Sequence, residues 1–335
     1  MVTIRDVAAK ANVSVTTVSR VLNNKPDVSE STKARVKEAI EELGYKPSGL
    51  ARGLVWQKTN SIGLIIPDIN NPFFPALVKG IERRAKELGY SLILCSTEND
   101  KHEEAEALAL LRSKQVDGII LSFSLHSQDA LINLEKQGFP IVQIDRRIKK
   151  SNYPAVTIDN KKSAFRATEY LIEQGHTEIA HVTGDLNVEN ARERLEGFRL
   201  AIEKYGLNYR SQWILEGDYS RETGKALMEE IIAMPKRPTA IFFANDLMAF
   251  GAYEAIFNHD LNIPADFSII GHDNVEIACF VKPGLTTMDQ PKYRLGQIAA
   301  EKLISIIEGE KNHYSENVML ENDLVVRETV RKISS

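Results

Sequence analysis

Two groups of residues in this sequence have types and spacings suited to recognising a partner. The first is Ser14, Val15, Thr16, Thr17, Ser19, Arg20 and Asn23, with Thr3 upstream. Hydroxyls, an amide and a guanidinium at helical spacing can reach phosphate oxygens or base edges. Helix propensity alone would not select so many Ser and Thr residues, because their side chains compete for the backbone. The second group stands just past the ends of successive apolar runs. Pro67 to Phe74 follows Ile66, and Asp145 and Arg146 follow Ile144. Past Val182 a loop leads to Arg192 and Arg194, and Asp218 and Tyr219 come after Glu216. Asn245 and Asp246 follow Phe243, and His272 and Asp273 follow Ile270. Carboxylates and amides bridge adjacent hydroxyls, arginines donate in planar pairs, and aromatic rings cover C–H faces, so the mixture suits a sugar. The alternative is helix capping, open to Asn245 or Asp246 ahead of a helix at 247.

The elements that must position these residues are legible. Thr3 can cap a first helix with Asp6 three residues on, and Ile4, Val7 and Ala8 share a face. Ala11-Asn12-Val13 makes a turn, and Ser14 caps a second helix with Val15, Val18 and Leu22 among its apolar positions. Two helices joined this way form a helix-turn-helix, whose second helix enters the DNA major groove; the alternative is a small helical subdomain. Ser29 or Ser31 caps a third helix over roughly 31–43, inward at Val36, Ile40 and Leu43 and stopped by Gly44. Residues 48–58 follow as a linker, whose Gly49 and Gly53 each cost a helix about 1 kcal/mol relative to alanine.

Beyond Ser61, strands and helices alternate. Strands are predicted at Ile62–Ile66, Ser91–Cys95, Gly118–Leu121, Pro140–Ile144 and Ala155–Ile158, then near 178–182, 212–216, 239–243 and 267–271. Helices are predicted near 73–88, 102–113, 127–137, 161–174, 189–204, 221–233, 246–258 and 292–308. This order implies two α/β lobes of parallel sheets with helices on both faces, linked where Thr286 to Pro291 crosses between them. In such sheets ligands sit outside the carboxyl ends of the strands, where the second group of residues falls.

Composition narrows the function. With 335 residues, 43% hydrophobic and 26% charged, the chain has room for two or three domains with buried cores. The net charge is −4, yet residues 1–58 carry ten cations against six acids, so the remainder carries −8. A basic head on an acidic body fits a DNA-binding domain attached to something with another job. Cys95 and Cys279 offer neither a disulfide framework nor metal spacing and read as buried thiols. His176 and His181 read as structural residues at the ends of a helix-to-strand connection. No apolar run approaches the ~20 residues that span a bilayer, and no signal-peptide core opens the chain, so a cytoplasmic protein without a membrane partner is expected. Dinucleotide, P-loop, nucleophile-elbow and zinc-protease motifs are missing, which argues against an enzyme. No cofactor or metal is expected.

The segment T-I-R-D-V-A-A-K-A-N-V-S-V-T-T-V-S-R-V-L-N at residues 3–23, followed by Y-K-P-S-G-L-A-R-G-L at 45–54, resembles the N-terminus of LacI/GalR-family transcription regulators. The resemblance continues along essentially the whole chain. It implies a homodimeric repressor with a helix-turn-helix domain at 1–47 and a hinge helix at 48–58. The effector-binding and dimerisation core would span 59–335, with one lobe over about 61–160 and 291–320 and the other over about 161–288 and 321–335. On double-stranded operator DNA of pseudo-palindromic sequence, Val15, Thr16 and Arg20 would read bases. Arg20 can fork onto guanine, and Val15 offers a methyl contact to thymine. Thr3, Ser14, Thr17, Ser19 and Asn23 would hold phosphates. The hinge would fold only when two copies meet on the operator, with Leu54 as a minor-groove wedge and Arg52 following the groove.

The core is similar to periplasmic sugar-binding proteins. Asn71, Phe73, Phe74, Asp145, Arg146, Arg194, Tyr219, Asn245, Asp273 and Gln290 fall where bacterial ribose-binding proteins place their sugar contacts. The departure is Tyr219, which stands where those proteins have Phe and whose hydroxyl would admit a larger or phosphorylated sugar. The resemblance implies a small sugar, ribose or a related pentose, acting as inducer. The alternatives are a catabolite-control regulator that answers to a phosphorylated carrier protein or a sugar phosphate, and a corepressor-dependent repressor. No leucine-heptad tail is present, so no tetramer built that way is expected.

Overall fold

Local side-chain contacts start the first helix. A computed structural model describes residues 2–22, 27–45, 58–122, 128–148, 151–310 and 316–333. In it the Asp6 carboxylate accepts the Thr3 backbone N–H (2.7 Å) and hydroxyl (2.8 Å) at the start of helix Ile4–Lys10. The same bonds hold the Asp6 carboxyl below its ordinary range. Asn12 turns the chain with φ 53°, a left-handed conformation that Asn tolerates. Ser14 then caps helix Val15–Leu22, its Oγ accepting the Thr17 N–H at 3.0 Å. The third helix, Glu30–Leu43, is capped by Ser29 and closed by Gly44 at φ 60°. Val7, Ala8, Ala11, Val18, Val21, Val36 and Ala39 form the small core of this unit, residues 1–59.

Residues 60–335 form a second unit built on two six-stranded sheets. The first contains β1 Ser61–Ile66, β2 Ser91–Ser96, β3 Gly118–Leu121, β4 Ile141–Ile144, β5 Ala155–Ile158 and β11 Val318–Leu320, in the order β11-β5-β4-β3-β1-β2, all parallel. The second contains β6 Ile179–Thr183, β7 Ile214–Glu216, β8 Ala240–Phe243, β9 Ser268–Asp273, β10 Thr286–Asp289 and β12 Asp323–Val325, in the order β12-β10-β9-β8-β6-β7. Only β12 runs antiparallel, against β10. Strands β3, β4 and β5 are buried along their whole length, as parallel strands covered on both faces must be. The chain passes between the sheets three times: after β5, after β10, and between β11 and β12. The three-residue strands β11 and β12 are too short for a periodic pattern to place.

Glycines let flanking helices approach closely. A Cβ on Gly80 of helix Phe73–Glu87 would stand 2.1 Å from the carbonyl oxygen of Tyr293 in helix Lys292–Glu308. One on Gly251 of helix Asp246–Asn258 would stand 2.0 Å from the carbonyl oxygen of Arg221 in helix Arg221–Ala233. Both obstacles are backbone, so the helices themselves must separate. Gly251→Ala is therefore expected to destabilise the core by about 1–3 kcal/mol, seen as a lower urea midpoint in the fluorescence of Trp213, which is buried in the adjoining core. An unchanged midpoint would show that the helix pair can slide apart freely.

Two sequence expectations are corrected. Cys279 is exposed on the short 3-10 turn Glu276–Cys279, where its neighbours Ile277 and Phe280 are also exposed; Cys95 is half-buried. His181 lies within strand β6, buried and stacked between Phe198 and Phe242, with Nδ1 bonded to the Phe242 carbonyl at 2.8 Å.

Candidate functional site

A cleft of about 550 Å³ opens where the loops after β1, β2 and β4 of the first lobe face those after β6 to β10 of the second. Asn71, Phe73, Phe74, Asp145, Arg146, Arg194, Tyr219, Asn245, Asp273 and Gln290 all line it. Phe73 and Phe74 meet edge to face at 5.0 Å, and the Asn71 side-chain oxygen accepts the Phe73 N–H at 3.0 Å. Asp145 takes a left-handed φ of 63°. Burial pushes its carboxyl up, while Arg146 and Arg194 pull it back. Arg146 donates to Asn99 Oδ1 at 3.1 Å and reaches toward the Tyr219 ring, whose centre is 5.8 Å away.

In the second lobe, Arg194 donates to Asn160 Oδ1 (3.0 Å) and to the Ala244 carbonyl (2.6 Å). Tyr219 has φ 74°, and its hydroxyl donates to Asn190 Oδ1 at 3.1 Å. That bond commits the hydroxyl proton to the wall and leaves the oxygen able only to accept from a ligand. Its ring needs Gly184, where a Cβ would stand 2.0 Å from Tyr219 Cζ. Asn245 both caps its helix, through the Met248 N–H at 2.9 Å, and donates to the Tyr219 carbonyl at 2.9 Å while facing the cleft. Asp273, at φ 119°, accepts Gln290 Nε2 at 2.7 Å. Burial raises its carboxyl, offset by Arg194, Gln290 and Lys292.

The remaining strand-end residues separate cleanly. Asp218 lines the cleft, whereas Arg192, Asp246 and His272 do not. Arg192 pairs with Glu189 at 2.8 Å on the surface. Asp246 is buried behind the cleft, accepting the Val275 N–H (2.9 Å) and the Thr287 hydroxyl (2.6 Å). Burial and the nearby Asp273 push its carboxyl up. Two buried polar atoms of lining residues, Arg146 Nε and Gln290 Oε1, have no hydrogen-bond partner among the described residues. Arg146 Nε stands 3.9 Å from the Asp145 carboxylate, beyond hydrogen-bond reach. Seven carboxylates against three guanidinium groups line the cleft.

In the first unit Thr3, Ser14, Val15, Thr16 and Arg20 are exposed, and Thr17 and Ser19 half-buried. Val15, Thr16, Ser19 and Arg20 share the outer face of helix Val15–Leu22, opposite the buried Val18 and Val21. Arg20 meets Asp27 at 3.0 Å with both side chains about half in solvent. Asn23, Arg52 and Leu54, with most of the 48–58 linker, lie outside the described residues.

Residues 3–48 match the profile of bacterial regulatory proteins of the lacI family, and residues 59–325 match that of periplasmic binding proteins and the sugar-binding domain of the LacI family. The chain belongs to the LacI family. It is a DNA-binding repressor of that family with a sugar-binding domain. The ribose operon repressor of Escherichia coli K12 is 41% identical over 305 residues, covering 91% of this chain and 92% of that protein. The HTH-type transcriptional repressor PurR of Aliivibrio salmonicida is 38% identical over 334 residues, 99% of this chain and 100% of that one. Among solved structures, the lac repressor dimer bound to operator and an anti-inducer superposes with a TM-score of 0.88 at 29% identity, covering 98% and 99% of the two chains. A LacI-family regulator of Enterococcus faecium with bound ribose gives 0.75 at 33% identity, covering 82% of this chain and 100% of that one. The LacI-family relatives are repressors, not enzymes.

Sequence reasoning missed Asn99 and Asn190, which line the cleft and hold Arg146 and Tyr219. Both left signals. Asn99 follows the end of β2, and Asn190 lies one helical turn before Arg194 on the same helix face.

Proposed function

We propose that the chain acts as a homodimeric repressor whose affinity for a pseudo-palindromic operator is lowered by a small neutral sugar, ribose or a related pentose, bound in the cleft. What carries this reading is the convergence of ten residues from both lobes on one cavity whose lining includes one buried donor, Arg146 Nε, and one buried acceptor, Gln290 Oε1, without a hydrogen-bond partner among the described residues. Asp145, Arg146, Arg194, Asn245, Asp273 and Gln290 supply hydroxyl contacts, while Asn71, Phe73, Phe74 and Tyr219 form the walls. The surplus of carboxylates favours a neutral polyol over a sugar phosphate, which would meet like charge. It also argues against the catabolite-control alternative in its sugar-phosphate form.

The head at 1–47 reads DNA through Val15, Thr16 and Arg20, with Thr3, Ser14, Thr17, Ser19 and Asn23 on phosphates. The linker at 48–58 contributes Arg52 and Leu54 to the minor groove. An eight-residue recognition helix reads few bases, so two copies are needed for useful affinity. Effector binding alters the angle between the lobes of the 59–335 core and with it the pairing of the linkers. No helix among the described residues is long and apolar enough to cross a membrane.

Calorimetric titration of the full chain tests the effector. D-ribose is expected to give saturable heat in the micromolar to low-millimolar range, and ribose 5-phosphate none. Tighter binding of the phosphate ester would reverse the assignment.

A further inference from the structure

We propose that His272, Ser163 and Asn322 form a donor relay that positions the Asp273 carboxylate for the effector and ties it to the third crossing between the lobes. The proposal rests on Asp273 as an effector contact. None of the three residues lines the cleft, and all are buried, His272 and Ser163 completely.

The Asp273 carboxylate sets the direction of the chain: its oxygen only accepts, so a bare Nδ1 beside it would face it with a lone pair, whereas Gln290 Nε2, also 3.3 Å from Nδ1, gives its hydrogen to Oδ1 at 2.7 Å. Asn322 Nδ2 donates to Ser163 Oγ at 2.7 Å. An amide nitrogen only donates, so the serine oxygen accepts there; the bare Nε2 that pairs with a protonated Nδ1 then takes the serine proton, 2.9 Å away. An accepting Nε2 leaves the neutral imidazole with its proton on Nδ1, which stands 3.3 Å from Asp273 Oδ1. Burial, with Arg194 and Lys292 nearby, holds the imidazole neutral.

The relay completes a pattern. Asn160, which opens the helix after the first crossing, accepts from Arg194. Gln290, in the second crossing, donates to Asp273. Asn322 stands in the third, between β11 and β12, and reaches Asp273 through Ser163 and His272. Each crossing is thereby bonded to one of the two most buried charged residues that the second lobe adds to the cleft lining. Rotation of the lobes about these crossings alters how Arg194 and Asp273 are presented, which couples effector affinity to lobe angle.

The test combines a tautomer measurement with an affinity. In the full chain labelled with ¹⁵N-histidine, the His272 signals, identified by their loss in His272→Gln, are expected to show a protonated Nδ1 and a bare Nε2. Ser163→Ala should release that tautomer and raise the D-ribose Kd about 5- to 100-fold, the range for one buried acceptor left unsatisfied. Asn322→Asp, whose carboxylate cannot donate and draws the serine proton to itself, should act in the same direction. A protonated Nε2 in the parent protein would overturn the relay. So would a Ser163→Ala protein with an unchanged tautomer and Kd, since packing alone would then explain the contacts. The tautomer is read without sugar, so failure of ribose to bind would count against the effector assignment and leave this arm decisive.

Discussion

Arg20→Ala is expected to abolish selective operator binding while leaving sugar affinity unchanged. Arg20 sits on the outer face of helix Val15–Leu22, and its contact with Asp27 is a half-exposed ion pair. Such pairs contribute at most about 1 kcal/mol, so the guanidinium can exchange Asp27 for a base edge at little cost. A bidentate contact to guanine discriminates by about 1–3 kcal/mol. A dimer makes it twice, giving about 2–6 kcal/mol, or about 30- to 20,000-fold. The head is a separate unit from the core, so the effector site should not register the change. Anisotropy against a duplex selected from a randomised pool would show affinity falling to the level of unrelated DNA. An equal loss on every sequence would instead place Arg20 on a phosphate.

Asp273→Ala should remove effector binding at a cost in fold stability that depends on pH. The carboxylate is buried beside Gln290 and is held near Arg194, so deleting it strands a donor and a cation against the ligand. Removing one partner of a buried charged contact costs about 2–5 kcal/mol, or about 30- to 4,000-fold in Kd. A carboxyl raised by burial contributes stability below its unfolded pKa and loses it as pH rises through the folded value, here about 6. The alanine variant lacks that dependence, so its deficit in urea midpoint should shrink as pH rises from about 4 to about 7. A deficit that grew over that range would contradict the burial of an ionisable Asp273.

Much of this arrangement was legible in the residues. Apolar runs located nine strands to within a residue or two, and reading past their ends found Asp145, Arg146, Asp218, Tyr219, Asn245 and Asp273. What sequence could not decide was the side each neighbour faces. His272 and Asp273 are adjacent at the end of β9 and their side chains touch, yet the φ of 119° at Asp273 turns only that residue into the cleft. Asn245 lines it, while Asp246 turns inward to hold Val275 and Thr287. Capping and a place in the cleft wall are compatible for one amide, since Asn245 bonds Met248 and still lines the cavity. Cys279 shows the limit of local hydrophobicity, because its apolar neighbours are themselves exposed. The hydroxyl of Tyr219 reads as a free polar group until the fold brings Asn190 to it.

The central claim is that a neutral pentose in the cleft releases the head from DNA. The most direct measurement follows the full chain on its selected duplex by anisotropy while D-ribose is added. Release that half-saturates near the calorimetric Kd for ribose, and is absent in Asp273→Ala, is the predicted result. Ribose that binds with the same affinity yet leaves the complex intact, or tightens it, would contradict induction.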